Sequence, residues 1–169
     1  MSSKCIYYVE GQCEQVLINA LKVEPAHMIP GPVKVYNFIQ ERIPNSHLLK
    51  IHPGTIVALV FDTDKPDTKY LEQNIALLKK SCQKVKIIYL PQVLNFEEEI
   101  VKATDVREAE DLTHSSSVRH FKSDFCKLKL VDCRNLLNRH HFNIQKIWIT
   151  KVPKDFSFID SNSVIVKKL

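Results

Sequence analysis

The chain has 169 residues, of which 44% are hydrophobic and 25% charged, the profile of an ordinary globular protein with one sizeable core. No apolar run approaches ~18 residues, so no membrane span is expected. The start, MSSKCIYYVEG, has no signal-peptide layout because its apolar run ends in Glu10, so the expected compartment is the cytoplasm. The five cysteines are odd in number and contain no CxxC pair, which argues against a disulfide framework or a zinc site and for reduced, buried thiols.

The net charge of +5 is unevenly spread. Residues 1–114 carry 13 Lys/Arg and 15 Asp/Glu, whereas residues 115–154 carry nine Lys/Arg against only Asp124 and Asp132. A basic segment joined to an acidic half suits a polyanionic partner such as nucleic acid, with a solvated basic helix face as the plainer alternative.

In chain order, Lys4–Val9 is β-branched and aromatic and reads as a buried strand ending at Glu10-Gly11. Val16, Leu17, Ala20 and Leu21 lie on one helical face, and Pro25, Pro30, Gly31 and Pro32 mark a loop. Val33–Tyr36 reads as a second strand. Residues 38–49 are ambiguous because Pro44 interrupts them. Thr55–Phe61 is free of charge, as expected of a central strand covered on both faces, and it ends abruptly in Asp62-Thr63-Asp64.

Thr68 can cap a helix whose apolar face uses Leu71, Ile75 and Leu78, and Val85–Leu90 is a further strand closed by Pro91. Asn95 can cap a helix over 96–103, Ser115–Ser117 can start one through Leu128, and Asp132 can begin another through Arg139. Ile144–Thr150 alternates in part and predicts a late strand. The β-α-β-β-α-β order predicts an α/β fold with an open, mostly parallel sheet, helices on both faces and a helical C-terminal extension. The whole chain, 1–169, reads as a single domain, with its core over about 4–103 and a basic, mainly helical part over about 104–169.

Three carboxylates follow predicted strands: Glu10 the first, Asp62 and Asp64 the most apolar. At the carboxyl ends of neighbouring strands such side chains converge on the ligand crevice of an open α/β sheet. Hard oxygen donors of this kind suit Mg²⁺ or Mn²⁺, which also bind phosphate oxygens. Gly11, one of only three glycines, is expected to have a backbone reason for its place.

Val9-Glu10-Gly11-Gln12-Cys13-Glu14 after one strand, then Val60-Phe61-Asp62-Thr63-Asp64 after a later one, resembles the Toprim domain of primases, topoisomerases and OLD-family nucleases, and of a small ribosomal-RNA-maturing ribonuclease. The resemblance covers residues 4 to about 103. It implies that Glu10, Asp62 and Asp64 are catalytic and that Glu10, Asp62, Asp64 and Glu14 hold the metal. It further implies metal-dependent hydrolysis of nucleic-acid phosphodiesters, in defence or RNA processing.

Glu97-Glu98-Glu99 resembles a further acidic patch of some nuclease members, with Glu97 or Glu98 facing the site. Gln12 and the Pro66-Asp67 pair depart from the usual pattern. Arg119, Lys122, Lys127, Lys129, Arg134 and Arg139 are the candidate nucleic-acid contacts. An inactive Toprim-like binding or regulatory module is the alternative, and a haloacid-dehalogenase-like phosphatase ranks below both. A partner protein or a second copy of the chain is compatible with either of the first two.

Overall fold

The computed structural model describes residues 5–160 and 162–168. Its sheet has four strands, β1 (Cys5–Val9), β2 (Val33–Val35), β3 (Ile56–Asp62) and β4 (Lys86–Gln92), in the order β2-β1-β3-β4. All three pairings are parallel. Around the sheet run α1 (Gln12–Leu21), the short α2 (Asn45–Leu48), α3 (Lys69–Ser81), α4 (Phe96–Ala103), α5 (Ala109–Thr113), α6 (Val118–Cys126) and α7 (Leu130–Arg139). Two 3₁₀ turns, Lys154–Phe156 and Ser163–Ile165, complete the chain's path.

The strands are apolar throughout because each face of the sheet is covered. Cys5, Tyr7, Val9, Ala58, Val60, Ile88 and Leu90 turn to one face and meet α1, α4, α6 and α7 through Leu17, Ile100, Phe121, Phe125 and Leu137. Ile6, Tyr8, Val57, Leu59 and Phe61 turn to the other and meet Phe38, Phe156 and the Leu71-Ile75-Leu78 stripe of α3. The period of two along each strand thus feeds two separate apolar layers. Phe96, Phe121 and Phe125 stack among themselves in the first layer, with ring centroids 5.4–6.2 Å apart.

Caps follow the sequence at two helices. Asn95 accepts from the Glu98 N–H and Ser117 from the His120 N–H, each satisfying a first-turn donor. Thr68 precedes α3, but its hydroxyl bonds the Glu72 carboxylate rather than the backbone. Pro91 does not close β4, which continues to Gln92. On an edge strand one side of the backbone has no ladder partner, so the N–H that proline lacks is not missed.

The expected strand over Ile144–Thr150 is not formed; residues 144–148 are a run of turns. Trp148 there has φ +57°, its N–H donates to Glu99 Oε2 (2.7 Å), and Asn143 donates to the Ala103 carbonyl (2.7 Å). The free edge of β4 is also engaged, since the Tyr89 N–H donates to Asn162 Oδ1. Among the described residues no helix is long and apolar enough to cross a membrane.

Candidate functional site

β1 and β3 are neighbours in register, Val9 beside Val60, so the residues that follow them emerge side by side at the carboxyl edge of the sheet. Glu10 turns across that edge. Its Oε2 accepts the Asp62 backbone N–H at 3.1 Å, and its Oε1 accepts from Asn37 Nδ2 at 2.8 Å. Asn37 is itself held by the Ile39 and Gln40 N–H groups, so Glu10 is clamped between the loop after β2 and the end of β3. The two strand tips, 52 residues apart in the chain, therefore share one site.

α1 starts immediately beyond, and Glu14 in its first turn bends back to accept the Gly11 N–H at 3.0 Å. Gly11 is extended (φ −143°), so glycine is not required there by backbone angle. A Cβ at Gly11 would stand 3.1 Å from Glu14 Oε2, and this close approach accounts for the residue. Glu14 is only 6% exposed, so it is a buried member of the site rather than a solvated first-turn glutamate.

Gln92, fully buried at the end of β4, pairs in register with Asp62. With its amide nitrogen turned to the carboxylates it donates to Asp62 Oδ1 (2.9 Å) and Glu14 Oε1 (3.2 Å). That orientation is assigned from the network, because the neighbours on this side are all acceptors.

The Glu97–Glu99 run divides three ways. Glu97 is buried and forms an ion pair with Lys122 Nζ at 2.7 Å, while its Oε2 is buried without a hydrogen-bond partner. Glu98 is exposed. Glu99 is wholly buried and accepts from the Trp148 and Val93 N–H groups and from Lys102, so it anchors the C-terminal path. Asp64 is exposed in the loop after β3, close enough for its charge to act on Asp62.

This crowding has an electrostatic cost. Burial, then the charges of Glu10, Glu14, Asp64 and Glu97, push the Asp62 carboxyl up to about 8. Glu14 is raised as well, by burial first and by Glu10. Burial alone would lower the Lys122 ammonium, but the hydrogen bond and charge of Glu97, with Asp62 and Cys13 beyond, raise it instead. The acidic group draws positive charge to itself, in the Lys122 ammonium beside Glu97 and in the raised Asp62 carboxyl.

Among the described residues no group of three or more His, Cys, Asp or Glu side chains is arranged to hold a metal ion. The donor set is of the open kind that Mg²⁺ uses, in which one or two carboxylates act together with waters and substrate phosphates. The unpartnered Glu97 Oε2 and the mutually repelling acids fit a cation in this place.

The six basic candidates separate. Lys122 pairs with Glu97 while its side chain stays 51% exposed, and Arg119, Lys127, Lys129 and Arg139 are exposed too. Arg134 is committed elsewhere: its guanidinium donates to the carbonyls of Ala20, Val23 and Pro25, closing the chain at and beyond the end of α1, about 10 Å along the helix from Glu14. Arg134 thus closes the chain beyond α1, a role that its place among the candidate nucleic-acid contacts did not anticipate.

Asn37, Gln92 and the pairing of Lys122 with Glu97 were not readable from sequence, whereas Glu97 facing the site was one of the two expected outcomes. Gln92 alone left a trace, as a polar residue ending an otherwise apolar strand beside an Asp-ended one. No protein-family model, curated protein or solved structure matches the chain.

Proposed function

We propose that this chain is a metal-dependent phosphodiesterase acting on nucleic acid, of the Toprim-like kind that its Glu10 and Asp62-Thr63-Asp64 motifs resemble. One observation carries the reading: Glu10 and Asp62, from two strands far apart in sequence, meet through the 3.1 Å hydrogen bond at the sheet's carboxyl edge. Glu10, Asp62, Asp64 and Glu14 are the residues that would hold Mg²⁺ or Mn²⁺. When bound, such an ion neutralises the scissile phosphate and stabilises charge on the leaving oxygen.

The chain's own groups supply the rest. Burial and the neighbouring acids favour the protonated form of Asp62, and a cation beside it would favour the carboxylate. Glu10, oriented by Asn37, is placed to take a proton from an attacking water or return one to the leaving oxygen. Gln92 keeps Asp62 and Glu14 from turning away from each other. The exposed Arg119, Lys127, Lys129 and Arg139 offer cations to the nucleic-acid backbone.

A second reading, a binding module without turnover, is favoured by the Lys122–Glu97 ion pair, since a lysine already occupies part of the acidic group's field. Labelled single-stranded and duplex RNA and DNA, incubated with Mn²⁺, Mg²⁺ or a chelator, discriminate the two. The nuclease reading expects metal-dependent cleavage that falls at least ~100-fold in Glu10→Gln and in Asp62→Asn. Cleavage that survives both substitutions refutes it, and nucleic-acid binding with no cleavage under any metal supports the second reading.

A further inference from the structure

Beside the carboxylates, α1 and α6 also meet through sulfur. Cys13 Sγ lies 2.7 Å from Cys126 Sγ and 3.5 Å from the Lys122 carbonyl. The two cysteines are 113 positions apart, so the tertiary fold, not local chain geometry, brings them together. A disulfide bond is about 2.05 Å long, and closing this pair takes a shift of about 0.7 Å. Cys13 is 7% exposed, whereas Cys126, the last residue of α6, is half-buried. All five cysteines are free thiols, and Cys5, Cys82 and Cys133 are buried.

We propose that Cys13 and Cys126 form an oxidation site, at which a peroxide closes an intramolecular disulfide joining the first turn of α1 to the end of α6. The half-buried Cys126 meets the oxidant first. Its sulfur attacks hydrogen peroxide, the O–O bond breaks, and a sulfenic acid and one water result. The Cys13 sulfur then attacks that sulfur: the S–O bond breaks, the S–S bond forms, and the hydroxyl leaves as a second water with the Cys13 proton. Two thiols are oxidised and one peroxide is reduced to two waters.

The consequence falls on the acidic site, because Glu14 follows Cys13 directly and Lys122 lies one turn before Cys126. The disulfide ties the elements bearing Glu14 and Lys122 to each other. This chemistry is independent of whether the site cleaves nucleic acid.

The test uses the full chain, reduced and then treated with a small excess of hydrogen peroxide. Thiols are counted under denaturant, and peptides are mapped by mass without reduction. Three of the five thiols should remain, a Cys13–Cys126 linked peptide should appear, and the melting temperature should rise by about 5–15 °C, reversed by dithiothreitol. Cys126→Ser, or Cys13→Ala should the first not fold, should show neither the link nor the rise. Five intact thiols, a chain-to-chain link through Cys126, or a link to Cys5, Cys82 or Cys133 overturns the proposal.

Discussion

Asp62 holds its proton for two reasons that act together, loss of water around it and four neighbouring acids. The sign of the resulting pH dependence is unusual for a carboxylate. Its folded value, about 8, lies above its ordinary value of 3.8, so between these limits the folded chain keeps a proton that the unfolded chain has released. This group's contribution to stability is therefore fully present below pH ~4 and lost as pH rises through ~8. In chelator, wild-type melting temperature should fall from pH 5 to pH 8 by more than that of Asp62→Asn, with a difference on the order of 3–8 °C. Equal slopes in the two proteins would show that Asp62 is not held protonated.

Residue identity alone left Glu14 and Glu97 open, since a glutamate in a first turn suits both a helix dipole and a buried site. Their burial decides the matter, and it depends on side chains from β4 and α6 that no local pattern announces.

At the scale of elements, local rules did well wherever the signal was local. The strands over 5–9, 56–62 and 86–92 and the helices begun by Asn95 and Ser117 follow from apolar runs and cap residues. The stretch 144–150 alternates only in part, and the structure folds 144–148 into turns. A buried Glu99 instead captures the Trp148 N–H.

Arg134 illustrates the converse, a charge whose role is settled by a distant helix end. Replacing it with alanine should cost about 1–2 kcal/mol of unfolding free energy in urea, by freeing the Ala20 carbonyl of α1 and those of Val23 and Pro25 just beyond it, while nucleic-acid affinity stays unchanged. A salt-sensitive drop in affinity without loss of stability would instead return Arg134 to the nucleic-acid contacts.

At the scale of the whole molecule, the basic C-terminal part is not an appendage. Phe121 and Phe125 of α6, with Cys133 and Leu137 of α7, share one apolar layer with Val9 and Val60 of the sheet. Phe121→Ala should therefore destabilise by about 3–5 kcal/mol, and far-ultraviolet circular dichroism and Trp148 fluorescence should shift to lower urea together. Separate transitions would mean that the two parts unfold independently.

An α/β sheet with parallel central strands was legible from the chain alone, because a charge-free run and its flanking breaks encode burial on both faces locally. So were Glu10 and Asp62 at strand ends, since polarity changes sharply there. Only the tertiary structure decided that Asn37, Gln92 and Lys122 join them, that Asp64 stays in solvent and that Arg134 serves a helix end. Those outcomes depend on strand order and helix docking, in which partners lie tens of residues away and no periodicity in the sequence names them.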